Sequence, residues 1–243
     1  MTTPGTIGFD LAKPGSDMTV ARIGNATLYC GDAYQIRPTL GRMDCDVMDP
    51  PYEFNAVGAG KFRAARVATD QIIDEGMHLG FDHKIICPML AGSVIVFHHG
   101  DQRHALEGYL KGNYHRTVLL RWIKDNPAPH RNKNYIADEE SYFHSWNEGF
   151  HPIGLHADMH RHVFAPVAPS KKYGHPTVKP DAVMTKILRN VNGERICDPF
   201  MGTGSTGVAA VKAGKQFWGI EKNPKHFETA IRRISEAQEA VAA

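Results

Sequence analysis

A three-layer α/β domain built around a mostly parallel sheet is the fold class this sequence predicts, and three features predict it. Strand-like apolar runs alternate with helix-like ones along the chain, the pattern that puts helices on both faces of a sheet. The strand-like runs are apolar and β-branched throughout, as burial on both faces requires. One segment, "RICDPFMGTGSTGVAAVKAGKQFWGIEKN" from Arg195 to Asn223, reads strand, glycine turn, helix, strand.

The expected strands are Ala26–Cys30, Asp44–Met48, Ser93–His98, Thr117–Lys124, Arg195–Cys197 and Gln216–Ile220. A helix is expected from Pro180, presenting Val183, Met184, Ile187, Leu188 and Val191 to the core. The last helix is the clearest: Asn223 can cap it, Pro224 suits its first position, and Phe227, Ala230, Ile231 and Ile234 recur at helical spacing. Two stretches, Phe54–Asp70 and about Asn126–Thr177, are rich in Gly, Pro, His and basic residues and read as irregular. Loops this long in one domain carry function or remain disordered.

With 243 residues and 42% hydrophobic content, the chain can bury one sizeable core, so a single domain over residues 20–241 is expected. The longest nearly apolar stretch, Ile85–Phe97, is interrupted by Pro88, Gly92 and Ser93 and falls short of the roughly 20 residues of a membrane helix. The opening residues show neither a basic segment nor a continuous apolar one, so no secretory signal is read and a cytoplasmic protein is expected. Four cysteines, Cys30, Cys45, Cys87 and Cys197, lie far apart without a CxxC pair, which suits reduced thiols. The net charge of +2 does not announce a nucleic-acid binder, but basic residues gather locally: Lys61, Arg63 and Arg66; Arg121, Lys124, Arg131 and Lys133; Arg161, Lys171 and Lys172.

Two motifs carry chemistry. In the first, Gly202 and Gly204 let backbone approach a ligand, and amides near Ser205 offer donors at a helix start. Glu221 follows at the end of the next strand, where an acid takes ribose hydroxyls, so a nucleoside ligand is implied. Gly207 completes a G-x-G-x-x-G spacing and keeps NAD open as an alternative. Against it, Asp198 just before the loop would repel a pyrophosphate and attract an α-ammonium, which favours S-adenosylmethionine. The second motif, "DPPY" at Asp49–Tyr52, ends a strand at the crevice side of such a sheet. Asp49 and the Pro50 carbonyl can each accept a hydrogen of an exocyclic amine, turning its lone pair toward a methyl donor. Pro51 keeps that carbonyl out of a helix, and Tyr52 offers a face for a base flipped out of the duplex. The bland alternative is a rigid turn closing a strand.

"DPPY", "DPFMGTGSTGVAA" (Asp198–Ala210) and "HPTVKP" (His175–Pro180), in this order, resemble the S-adenosylmethionine-dependent DNA amino-methyltransferases in which the catalytic motif precedes the cofactor motif. "LYCGDA", "LLRWIKDNPAPHRNKNY" and "GIEKNPKHFETAIRRI" extend the likeness over most of the chain from Leu28. The resemblance implies a doubly wound, Rossmann-like sheet with an antiparallel edge strand, circularly permuted. It implies catalysis by Asp49, Pro50, Pro51 and Tyr52. For the cofactor it implies Asp32 and Ala33 near the adenine, and Glu221 with Lys222 at the ribose. His175, Thr177, Lys179, Asp198 and Phe200, with Asp49, would lie around the methionine portion, and Gly202, Gly204, Ser205 and Thr206 would form the loop. Aspartate at the first catalytic position goes mostly with adenine N6, serine with cytosine N4, so Asp49 favours adenine.

By the same resemblance, target recognition falls in an inserted segment, 126–172. Phosphate contacts are expected from Lys61, Arg63, Lys124, Arg131, Lys133, Arg161, Lys171 and Lys172. Double-stranded DNA is the expected partner, and a homodimer would share the reading of a duplex. His156, His160 and His162 lack a partner cysteine or H-E-x-x-H pattern, so no metal site is expected; they, like His98 and His99, read as DNA-facing. Three other readings stay open: cytosine N4 as target, a catalytically silent DNA-binding module, and methylation of RNA or a protein glutamine.

Overall fold

In the computed structural model, residues 19–52, 80–127, 135–167 and 178–242 are described. Among them nine strands form one sheet. They are β1 (Thr19–Ile23), β2 (Ala26–Cys30), β3 (Met43–Met48), β4 (Ala91–His98), β5 (Arg116–Lys124), β6 (Glu139–Trp146), β7 (His162–Ala165), β8 (Arg195–Asp198) and β9 (Gln216–Glu221). The order across the sheet is β1-β2-β9-β8-β3-β4-β6-β5-β7. The five from β2 to β4 run parallel, and β4 is buried at every one of its positions, which is why its sequence shows no polar alternation. All six expected strands are present, with ends within two residues of those read from sequence.

Among the described residues five helices flank the sheet: α1 (Ala33–Ile36), α2 (Arg103–Asn113), α3 (Asp181–Asn190), α4 (Ser205–Lys212) and α5 (Pro224–Ala242). Side chains of successive strand residues go to opposite faces. Ile95 and Phe97 join one apolar cluster with α3, α4 and α5, while Val94 and Val96 join the other with α1 and α2. These are the three layers. The expected cap of α5 is in place: Asn223 Oδ1 accepts from the Lys225 amide at 3.0 Å, and Phe227, Ala230 and Ile234 are buried. Pro180 stands just before α3, whose Val183, Met184, Ile187 and Leu188 are buried. No helix among the described residues is long and apolar enough to cross a membrane.

The segment expected to be irregular, 126–177, instead holds β6 and β7. β6 lies inside the sheet, antiparallel to both β4 and β5, so its centre is core structure and not part of a separate insertion. Antiparallel pairing is therefore found within the sheet as well as at the β1 edge. The other stretch read as irregular, 54–70, lies outside the described residues. β1 and α2 were also not expected. β1 forms a hairpin with β2 through Gly24-Asn25, with Gly24 in the left-handed region at φ 52°, a glycine-led two-residue turn. In α2, Gly108 and Gly112 weaken the helical signal that Leu106 and Leu110 give.

β8 and β3 are neighbours, Cys45 opposite Ile196 and Asp46 opposite Cys197. From β8 the chain moves by α4 to β9 on one side, and from β3 it moves to β4 on the other. Such a switch point opens a crevice beyond the carboxyl ends of the strands. Asp49 and the turn after Asp198 both lie there.

Candidate active site

The glycine turn is held from below and behind. Asp198 is 3% exposed; its Oδ2 accepts from Thr206 Oγ1 at 2.5 Å and its Oδ1 from the Phe200 amide at 3.0 Å. Burial pushes its carboxyl up to about 7, and the negative charges of Asp49 and Glu221 add to that, against the two hydrogen bonds. Gly202 and Gly204 have φ of 54° and 84°, and a Cβ on Gly204 would come within 3.0 Å of the Ala230 Cβ. Only glycine meets both demands. Gly207 is explained by packing, since a Cβ there would lie 2.4 Å from Ile234 Cδ1 and 2.7 Å from Phe217 Cε1. Arg233, on α5, donates to the Thr203 carbonyl at 2.7 Å and to its hydroxyl at 2.9 Å, propping the turn. In sequence Arg233 reads as one more polar residue of an amphipathic helix.

Glu221 ends β9 and ties that strand to the turn: Oε2 accepts from the Gly202 amide at 2.8 Å and Oε1 from the Asn223 amide at 2.7 Å. Beside it, Asp32 caps α1 by accepting from the Tyr34 amide at 2.8 Å, and Lys222 Nζ lies 3.8 Å from Asp32 Oδ2.

At the end of β3, both oxygens of Asp49 are engaged. Tyr52 donates its hydroxyl to Oδ1 at 2.6 Å, and Lys179 donates to Oδ2 at 2.6 Å. Lys179 also reaches Glu140 Oε2 at 3.2 Å, and Lys124 Nζ stands 3.0 Å from the other oxygen of Glu140. Burial would lower the Lys179 pKa; Asp49 and Glu140 outweigh it and hold the group up at about 12, so the amine stays protonated. Burial, with the Asp49 charge next in weight, pushes the Tyr52 phenol well above its usual range, so it remains a donor. Gln102 steadies the motif by donating to the Pro51 carbonyl at 3.4 Å.

The two halves line one cavity of about 800 Å³, with Asp49, Tyr52 and Lys179 in one wall and Asp198, Phe200 and Glu221 in another. That volume is of the size that holds small ligands, roughly 300 to 1,000 Å³.

Residues 157–232 match the model of a family described as DNA methylase. This stretch is similar to that family over less than half of the chain. It contains Lys179, Asp198, the glycine turn and Glu221, and stops short of the tetrapeptide at Asp49. The DNA adenine methyltransferase YhdJ of Escherichia coli (strain K12) is 40% identical over 65 residues, 26% of this chain and 22% of that protein. The match thus spans about a fifth of the relative's length. Among solved structures, M1.HpyAVI in complex with SAM superposes with a TM-score of 0.63 at 20% identity, over 86% of this chain and 99% of that one. The PvuII DNA methyltransferase, cytosine-N4-specific, gives 0.61 at 12% identity, over 90% of this chain and 93% of that one. At such identities the likeness establishes the Rossmann-like fold alone.

Around this cavity the structure gathers most of the expected residues: Asp32, Ala33, Asp49, Pro50, Pro51, Tyr52, Lys179, Asp198, Phe200, Gly202, Ser205, Thr206, Glu221 and Lys222. Gly204 lies behind the turn as the residue before α4. His175 and Thr177 fall outside the described residues, as do Lys61, Arg63, Arg131, Lys133, Lys171 and Lys172. Lys179, expected around the methionine portion, is paired with Asp49 and Glu140. Lys124, expected on phosphate, has a side chain only 14% exposed and turned to Glu140. Arg161 is exposed. His156, His160 and His162 are exposed and form a row with ring centroids 6.0 and 5.8 Å apart; no cluster of three or more metal-ligating side chains occurs among the described residues. His98 is buried, stacked on Phe143 at 4.7 Å, and so does not face solvent. Glu140 was missed because it lies on β6, a strand that the sequence did not disclose.

Proposed function

We propose that this chain transfers a methyl group from S-adenosylmethionine to N6 of an adenine flipped out of double-stranded DNA. The observation that carries the reading is the single cavity shared by Asp49 and Tyr52 on one side and Asp198, Phe200 and Glu221 on the other. The residues fit the cofactor. Glu221, ending the second strand of a glycine-turn unit, is placed for ribose hydroxyls. Asp198 is a buried carboxyl without a cationic partner in its hydrogen bonds, and an α-ammonium would supply one. Asp32 and Ala33 lie at the adenine end, and Thr206 and the start of α4 complete the loop. When bound, the cofactor supplies an electrophilic methyl group on sulfur, which passes to nitrogen as the sulfur–carbon bond breaks and leaves a thioether.

The chain's own part is to prepare the amine. Asp49 Oδ2 and the Pro50 carbonyl accept its two hydrogens, so the lone pair leaves the ring plane. The amine thereby takes the place that Lys179 holds on Oδ2. The proton lost from nitrogen passes through Asp49 to water, because Lys179 already holds its own. Tyr52 supports the flipped base, whose extrusion costs a few kcal/mol against roughly 1 to 3 kcal/mol per stacked base. Aspartate at position 49, together with the adenine-named relative, supports adenine over cytosine.

Phosphate contacts are assigned to Arg161 and to Lys61, Arg63, Arg131, Lys133, Lys171 and Lys172, and a homodimer is proposed to share the duplex. Scattering with and without DNA would refute the dimer if both measurements gave a monomer. For the reaction, the purified chain is incubated with labelled cofactor and duplex DNA, and the nucleosides are separated by mass spectrometry. N6-methyldeoxyadenosine is expected. N4-methyldeoxycytidine would move the target to cytosine, label in RNA alone would overturn the DNA reading, and no transfer to any of them would refute the activity.

A further inference from the structure

The tetrapeptide is fastened to a carboxylate that the proposed reaction does not use. Asp49, Lys179, Glu140 and Lys124 form a row of alternating charge, with contacts of 2.6, 3.2 and 3.0 Å. The row is drawn from four places: the end of β3, the segment before α3, β6 and β5. Lys179 is 6% exposed, and Phe97 covers it with its ring centroid 4.7 Å from Nζ, so water screens these charges far less than at a surface pair.

Resting on the proposed reaction, we infer that Glu140 is a positioning residue for methyl transfer. It shares the Lys179 ammonium with Asp49, and it receives that ammonium when the substrate amine claims Oδ2. Asp49 Oδ1 already accepts from Tyr52, so an ammonium confined to Oδ2 would compete with the amine for the acceptor that activates it. Glu140 offers Lys179 a second seat within reach. Lys124 in turn balances Glu140, so that a further carboxylate near Asp49 does not burden it with uncompensated like charge.

Among the described residues the charged and titratable groups facing Lys179 are Asp49 and Tyr52 after β3 and Glu140 on β6, with Lys124 on β5 acting through Glu140. Burial acts to lower the Lys179 pKa, and Asp49 and Glu140 hold it up. Without Glu140 the ammonium loses one of the two charges that keep it protonated, so it gives up its proton at lower pH.

The test compares the full chain with Glu140→Gln and Glu140→Asp. Steady-state transfer to duplex DNA is followed against pH, and melting temperatures are recorded. Glu140→Gln should lower kcat on the order of tenfold, less than the roughly 100- to 1,000-fold of losing a group that contacts the transition state. KM for DNA and for the cofactor should stay within about twofold, the signature of an interaction used after binding. The kcat profile should bend upward on its alkaline side, as the competing ammonium gives up its proton, where wild type stays flat, and Glu140→Asp should restore both the rate and the flat profile. A Gln variant with wild-type kcat and profile overturns the proposal. So does a slower variant whose profile keeps its shape, or an Asp variant as slow as Gln, since either makes Glu140 merely structural. Should the Gln variant fail to fold, the Asp variant decides: an alkaline bend that it does not avoid overturns the proposal. Wild type inactive on DNA would refute the reaction itself, whereas active wild type with an indifferent Gln variant refutes only the role of Glu140.

Discussion

Thr206→Val removes one hydroxyl and changes little else, and it should turn ligand binding into a steep function of pH. The hydroxyl donates to Asp198 Oδ2 at 2.5 Å and favours the ionised carboxylate against burial, which already holds the group at about 7. Hydrogen bonds to charged groups contribute about 1.5 to 3 kcal/mol. At 1.36 kcal/mol per tenfold change in proton affinity, their loss makes Asp198 about 10 to 150 times harder to ionise. If only the ionised form takes the ligand's α-ammonium, wild type is half ionised near neutrality and the variant almost wholly protonated. The variant then binds roughly 7- to 80-fold more weakly at pH 7 and less than about sixfold more weakly at pH 8.5, where wild type is almost fully ionised and the variant has regained about a sixth to two thirds of its charge. The sign is fixed: affinity falls as pH falls through the pKa, and the variant's fall begins at higher pH. Isothermal calorimetry with S-adenosylhomocysteine, which keeps the ammonium and cannot donate a methyl, measures this across pH 6.5 to 8.5. Thr206→Ser should behave as wild type. A Val variant whose weakening is the same at every pH would show that the ligand does not read the charge on Asp198.

Asp49→Ala should abolish methyl transfer while calorimetry with the same ligand finds binding within a few fold of wild type; retained turnover would remove Asp49 from the mechanism. Gly204→Ala forces a side chain into φ 84° and against Ala230, so it should lower stability by about 1 to 3 kcal/mol in urea titrations and weaken ligand binding. An unchanged midpoint would show that the turn tolerates a Cβ. Arg37→Met breaks a buried pair in which the guanidinium donates to both Asp46 oxygens at 2.9 Å, with the two side chains 0% and 1% exposed. Leaving Asp46 uncompensated should cost about 3 to 5 kcal/mol, read from the same titrations, and a loss under about 1 kcal/mol would contradict that.

What the sequence disclosed follows from how each part is encoded. Parallel strands buried on both faces are written as apolar runs, so β3, β4 and β9 were legible, and the glycine turn declared itself because φ of 54° and 84° demands glycine. β6 was not legible. Its "EESYFHSW" puts Ser145 and His144 at fully buried positions, so the polar residues do not mark an outer face and the period is lost. The charges on Lys124 and Lys179 were visible while their partners were not: Lys179 meets Asp49 across 130 positions, and Glu140 sits on the strand that went unread. A lysine's destination is set by tertiary contact, and local composition suggested phosphate for one that the fold had already neutralised.

That encoding also explains why the order of the motifs along the chain leaves the site intact. Asp49 and Asp198 are brought together by a register, Asp46 opposite Cys197, and a register is indifferent to which strand the chain makes first. What the site does require is that β3 keep its place beside β8. The Arg37–Asp46 pair lies on β3 at that register, and Arg37 also donates to the carbonyls of Gly41 at 3.0 Å and Leu90 at 2.7 Å, just ahead of β3 and β4. A buried ion pair is weak evidence for stability in itself, but one that fixes two strand entries selects a register. Asp44 makes the matching hold on the other side, accepting from the Glu194 and Arg195 amides at 2.8 Å each at the entry to β8. The geometry at the carboxyl ends is thus set in part from the entries of the strands. Substitutions at Arg37 or Asp44 should therefore disturb methyl transfer by shifting Asp49 against Asp198 without touching either.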